Sequence, residues 1–180
     1  MSTDNNMLNK GLVQIYTGNG KGKTTAALGL AMRASGQGLK VIIIQFMKMG
    51  QYYGEVKSIE LLPNIQLESY GRKGFVYRDG VQPEDLTLAE KALSRAREAI
   101  NQNGCDLLIL DEINNALYYK LVTEAQVLEL IADKPEQMEL VLTGRNAPES
   151  IMNSAHLVTE MREIKHPYQI GIKSRKGIEF

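Results

Sequence analysis

Four apolar runs of strand length constrain this chain more than any other feature: Leu12-Val13-Gln14-Ile15-Tyr16, Val41-Ile42-Ile43-Ile44, Leu107-Leu108-Ile109-Leu110 and Leu140-Val141-Leu142. The last three carry no alternating polar residue, so both sides of each strand must be covered, as in a parallel sheet with helices on its two faces. Helical periodicity fills the intervals. Thr24 to Ser35 is rich in Ala and Leu and ends at Gly36, which reads as the C-cap. Leu88, Ala92, Leu93, Ala96, Ala99 and Ile100 recur at spacings of three and four, predicting an amphipathic helix stopped by Asn103-Gly104. A further helix is predicted near Glu124–Ala132, ending before Pro135. Strands alternating with helices make βαβ units, and the fold class is α/β.

Length and charge narrow the function. The 180 residues suit one domain. A polar arm at residues 1–10 is expected to move until something binds it, and the domain is expected over 11–180. With 21 basic and 21 acidic side chains there is no broad positive field, which argues against nucleic-acid binding. The one cysteine, Cys105, rules out a disulfide framework and a Cys-rich zinc site. No apolar run reaches the roughly 18–20 residues of a membrane span, and the N-terminus lacks the apolar core of a signal peptide. A soluble cytoplasmic protein, without a membrane or nucleic-acid partner, is expected.

The chemistry begins at Thr17-Gly18-Asn19-Gly20-Lys21-Gly22-Lys23-Thr24-Thr25, which follows a predicted strand and opens a predicted helix. That is the context of a P-loop: backbone N–H groups cradle anionic oxygens, Lys23 reaches the outer phosphates, and the Thr24 hydroxyl can ligate Mg²⁺. The strict pattern wants glycine where Thr17 stands, and Gly18 comes one residue late, so the first turn is expected to take a different path. A dinucleotide-binding fingerprint starting at Gly18 fails, because its third glycine would fall on Lys23, and Gln45 rather than an acid follows Ile44. The partner element is Leu107-Leu108-Ile109-Leu110-Asp111-Glu112, a buried strand ending in two acids. Charges there need a partner or a metal. Together the motifs point to a nucleoside triphosphate with Mg²⁺ and leave the reaction open. A small-molecule kinase or ATPase, and an ATP-binding regulatory module without turnover, both fit.

Tyr16-Thr17-Gly18-Asn19-Gly20-Lys21-Gly22-Lys23-Thr24-Thr25-Ala26-Ala27 resembles the loop of the P-loop ATP:corrinoid adenosyltransferases, displaced glycine included. Further matches follow in order: Gln45-Phe46 with Lys48, Gly74-Phe75 with Tyr77, Leu110-Asp111-Glu112-Ile113, Thr143-Gly144-Arg145, Val158-Thr159-Glu160-Met161, Lys165-His166-Pro167-Tyr168 and Gly177-Ile178-Glu179. The resemblance covers residues 11–180. It implies a RecA-like P-loop fold and a homodimer. It also implies transfer of the 5′-deoxyadenosyl group of ATP to the Co(I) of a reduced corrinoid (cobalamin or a cobinamide or cobyrate precursor), with release of tripolyphosphate. Thr17, Gly18, Asn19, Gly20, Lys21, Gly22, Lys23, Thr24, Thr25 and Arg145 would bind ATP. Lys23, Thr24 and Glu112 would be catalytic; Thr24 and Glu112, supported by Asp111, would hold Mg²⁺. Phe75 and Tyr77 would occupy the lower face of the corrinoid, Tyr77 standing where related members carry Trp. An electron-donating reductase of the flavoprotein type would supply Co(I).

Other residues read more plainly. His156 and His166 lie outside any zinc pattern and are expected at the surface or in structural roles. Cys105, Met47 and Met49 read as packing residues, although the methionines could line a cofactor pocket. Arg145 is read equally as a nucleotide contact and a surface ion pair. Lys173-Ser174-Arg175-Lys176 reads as a solvated face or a phosphate or corrinoid contact.

Overall fold

A computed structural model describes residues 8–49, 53–73 and 80–179. Phe75 and Tyr77, and residues 1–7 of the N-terminal arm, lie outside the described residues. The chain runs β1 (Val13–Thr17), α1 (Lys23–Gly36), β2 (Val41–Phe46), α2 (Gly54–Ile59), β3 (Ile65–Tyr70), α3 (Pro83–Asn101), β4 (Leu107–Asp111), α4 (Ile113–Tyr118), α5 (Glu124–Asp133), β5 (Glu139–Thr143), α6 (Glu149–Asn153) and β6 (Leu157–Glu160). A 3-10 turn at Pro167–Ile170 follows. The six strands form one sheet in the order β3-β2-β4-β5-β1-β6, and every pairing is parallel.

Alternate residues of the apolar runs go to opposite faces, and both faces are covered. Ile42, Ile44, Leu108, Leu110, Leu140 and Leu142 pack with α3 and α5. Val41, Ile43, Leu107, Ile109 and Val141 pack with Ala27, Ala31 and Ala34 of α1. Each fully buried Leu or Ile contributes ~1.5–3 kcal/mol over its exposed state. Helix α3 meets the sheet through Ala89, Ala92, Ala96 and Ala99, small side chains that let the helix lie close. It starts one turn before the apolar period does, on a capping box in which Gln82 and Asp85 satisfy each other's backbone N–H.

The helix ends show where local reading errs. Gly36 is still helical, and the left-handed residue is Gly38, whose N–H donates to Ser35 O at 2.9 Å. Strands β3 and β6 do not follow from apolar runs, because they are the sheet edges. β6 is exposed along its whole length, so its residues need no continuous apolar character. No helix among the described residues is long and apolar enough to cross a membrane.

Candidate active site

All six strands point their C-terminal ends the same way, and the loops leaving β1, β2, β4 and β5 meet there. The first is the glycine-rich loop. Gly18 (φ +91°) and Gly22 (φ +114°) take left-handed conformations that L side chains rarely adopt. A Cβ on Gly18 would lie 2.5 Å from Met161 O, and one on Gly20 would lie 2.7 Å from the same atom. Gly20 N donates to Met161 O at 2.6 Å, and Met161 N donates to Thr17 O at 2.8 Å. The displaced glycine thus has a cause. Thr17 remains in the strand, its hydroxyl accepting from Ala147 N at 3.3 Å, and the turn begins one residue later against the segment leaving β6.

Lys23, at the start of α1, is buried and donates to the carbonyls of Gly18 and Gly20, both at 2.7 Å. Burial holds its ammonium below the ordinary range, with Glu112 and Asp111 opposing and Arg145 adding to the effect. Its neighbour Thr24 donates to Asp111 Oδ1 at 2.9 Å, which ties the loop to the end of β4. β5 lies between β1 and β4 and supplies the bridge: Thr143 donates to Asp111 Oδ1 at 2.6 Å and accepts from Glu112 N at 3.0 Å.

Asp111 is 1% exposed and saturated with donors. Its second oxygen accepts from Lys48 Nζ at 2.7 Å and Gln45 Nε2 at 3.2 Å. Burial alone would raise this carboxyl, but the Lys48 charge and the bonds from Lys48, Thr143 and Thr24 outweigh it and hold it below the usual range. Burial likewise opposes charge on Lys48, and Asp111 and then Glu112 reverse it, so the ammonium sits above its ordinary range. Glu112 is the opposite case. It stands at φ 66° ahead of α4, and burial and then the neighbouring Asp111 charge push its carboxyl up. Asn115 Nδ2 donates to its Oε2.

Lys23, Thr24, Lys48, Glu112 and Asn115 line a cavity of about 1250 Å³. Asn19 through Thr25, Glu112 and Arg145 face it; Thr17, Gly18 and Asp111, also named from the sequence, are not among its lining residues. Arg145 is exposed, and its backbone N–H donates to Asn115 Oδ1 at 2.8 Å. Both methionines expected to pack, Met47 and Met49, line the cavity as well, Met47 also touching the core. His166 lines it while its Nδ1 accepts from Tyr168 N, whereas His156 is structural, its Nδ1 accepting from Val13 N at 3.1 Å. Cys105 is buried, as expected, and burial pushes its thiol up to about 12. Within the basic run near the C-terminus, Arg175 bonds Glu179, which itself lines the cavity. Lys48 was legible only as a match in the string; its place against Asp111 depends on β2 and β4 lying side by side.

A glycine loop between strand and helix, joined through a threonine to the acid of a second parallel strand, defines a P-loop nucleotide-binding α/β protein. A KaiC-like protein from Pyrococcus horikoshii shares this fold, with TM-score 0.54, 16% identity, and coverage of 90% of this chain and 79% of that one. Residues 9–180 match the family described as ATP:corrinoid adenosyltransferase BtuR/CobO/CobP. A corrinoid adenosyltransferase of Sinorhizobium is 39% identical over 173 residues, spanning 95% of this chain and 81% of that one. Those of Pseudomonas aeruginosa and Escherichia coli K12 are 34% and 31% identical, over 95% of this chain and 84% and 86% of theirs. The chain belongs to the ATP:corrinoid adenosyltransferase family, and that membership makes it an enzyme that uses ATP and a corrinoid.

Proposed function

We propose that this chain transfers the 5′-deoxyadenosyl group of ATP to the Co(I) centre of a reduced corrinoid. The cobalt electron pair forms the bond to C5′, the C5′–O bond breaks, and its electrons leave on the oxygen of tripolyphosphate. Co(I) is itself a strong nucleophile, so no protein base is required. The protein's work is to place C5′ in line and stabilise charge on the departing chain. The observation that carries this reading is the size and lining of the cavity. At about 1250 Å³ it exceeds the ~300–1,000 Å³ of an ordinary small-molecule pocket, room for a nucleotide and part of a large flat co-substrate, with Lys21, Lys23, Lys48 and Arg145 on its wall.

Lys23 is proposed as the main phosphate contact, moving from the Gly18 and Gly20 carbonyls to phosphate oxygens of similar reach. The loop N–H groups and Thr25, with Arg145 across the cavity, complete the ATP site. The Thr24 hydroxyl and the Glu112 carboxylate are hard oxygen donors suited to Mg²⁺, with Asp111 in support through its hydrogen bond from Thr24. An ion held by so few protein oxygens would keep waters and phosphate oxygens as its other ligands. Bound there, Mg²⁺ would neutralise charge on the triphosphate. Phe75 and Tyr77 are proposed to take the lower corrinoid face; Arg72 and Lys73, just before that segment, line the cavity.

A homodimer is proposed in addition. Its support is the exposed β6 edge with Leu157 and Val158, and the exposed Ile164, Tyr168 and Ile170 beyond it. A cytoplasmic location and a flavoprotein-type reductase that supplies Co(I) complete the proposal.

The test is anaerobic incubation with MgATP and chemically reduced cobalamin, following the cobalt spectrum and the phosphate product. A light-sensitive alkylcobalamin with stoichiometric tripolyphosphate is expected, and Lys23→Ala should remove it. ADP accumulating with an unchanged cobalt spectrum would overturn the reading.

A further inference from the structure

The end of β2 is built to deliver one ammonium group into the phosphate site. Met47 takes φ 61°, a left-handed conformation that non-glycine residues adopt rarely, and its N–H donates to Tyr70 O at 2.9 Å. Gly71 packs onto this turn so closely that a Cβ there would lie 2.4 Å from Lys48 N and 2.4 Å from Met47 C. The turn is therefore held from its own strand and from the end of β3. It sends the Lys48 side chain inward, where its Nζ lies 2.7 Å from Asp111 Oδ2 and 3.2 Å from Thr24 Oγ1, and 5.5 Å from the centre of the Tyr53 ring.

A counter-ion for Asp111 alone would not need this arrangement. That carboxylate already accepts from Thr24, Thr143 and Gln45, at 2.9, 2.6 and 3.2 Å. Lys48 in addition touches the hydroxyl of the P-loop threonine, and its side chain is 14% exposed, on the cavity wall. We propose that Lys48 is a catalytic cation of the adenosyl-transfer step, contacting the triphosphate chain and stabilising the charge it gains on leaving C5′. This deepens the adenosyl-transfer reading and rests on it. The chemistry supplies the reason. When the whole triphosphate is the leaving group, the electron pair of the broken C5′–O bond ends on the phosphate chain, so more positive charge must be arrayed along it. A lysine is suited to this because its point charge can be shared between a fixed carboxylate and an arriving phosphate oxygen.

The test measures binding of the product, inorganic tripolyphosphate with Mg²⁺, by calorimetry to the wild-type protein, Lys48→Met and Lys48→Arg. Tenfold or greater weakening is expected for Lys48→Met, with partial recovery in Lys48→Arg and a matching fall in kcat while KM for the corrinoid stays put. Equal tripolyphosphate affinity in wild type and a folded Lys48→Met would overturn the proposal and leave Lys48 as the partner of Asp111. Because Lys48→Met could unfold by stranding Asp111, the side-chain ¹⁵Nζ resonance of Lys48 is also followed in the wild-type protein, assigned by its loss in Lys48→Arg. A shift on adding Mg²⁺ and tripolyphosphate is expected; an unmoved resonance at saturation overturns the proposal. A wild-type protein that neither binds nor releases tripolyphosphate would sink the adenosyl-transfer reading itself, a different outcome from loss of the Lys48 role alone.

Discussion

The Glu179 carboxylate accepts the Lys21 ammonium at 3.0 Å, so the last described residue of the chain is bonded to the middle of the P-loop. Lys21 also donates to the Ile178 carbonyl at 3.1 Å, and Arg175 donates to Glu179 through its backbone N–H, Nε and Nη2. The bonds from Arg175 first, with that from Lys21, lower the Glu179 carboxyl to about 2. Glu179→Ala should free this segment. Tryptic cleavage at Lys173, Arg175 and Lys176 should speed up several-fold, while Tm falls by only a few degrees, since exposed ion pairs contribute little to stability. A depressed carboxylate contributes above its unfolded value of 4.5 and loses that contribution as pH falls toward about 2. The wild-type segment should therefore stay protected at pH 4 and become labile as pH approaches 2.

Asp111 and Glu112 are adjacent acids with opposite energetics. Asp111→Asn leaves Lys48 buried without its anion, and breaking a buried pair costs about 3–5 kcal/mol. Glu112→Gln removes a charge that burial and Asp111 both disfavour, so its stability in urea should match or exceed wild type. Both variants should lose adenosyl transfer. Equal destabilisation of the two would refute this assignment.

Gly18→Ala and Gly20→Ala test the path of the loop. Each methyl would meet Met161 O, at 2.5 and 2.7 Å, and at Gly18 the φ of +91° adds strain. Both should weaken ATP binding by tenfold or more in a nucleotide titration. Gly29→Ala, with open space around its helical position, should bind like wild type and gain up to ~1 kcal/mol of stability.

Alkaline pH should expose Cys105. Its thiol is raised from 9.0 to about 12 by burial, so the folded state keeps a proton that the unfolded chain gives up. Stability from this group is complete below pH 9 and declines as pH rises toward 12. Urea midpoints should fall over that window, and Cys105→Ala should flatten the decline. At neutral pH the thiol should resist alkylating reagents until the protein unfolds.

Much of this protein is written locally. The runs at Val41–Ile44 and Leu107–Leu110 are apolar at every position because helices cover both sheet faces, so the α/β class follows from them alone. Gly22-Lys23-Thr24 and Asp111-Glu112 announce a nucleotide site because each motif places its chemistry within a few residues. Tertiary structure decided the rest. No local rule places Thr143 under Asp111, because that contact exists only where β5 is inserted between β1 and β4. Nor does any rule explain why the first glycine is Gly18, since its clash partner, Met161, lies far along the chain beyond β6. Lys48 and Glu179 meet the P-loop for the same reason. Hydrogen bonds and ion pairs act over about 3 Å of space, and only the order of strands in the sheet brings residues so distant in sequence within that reach.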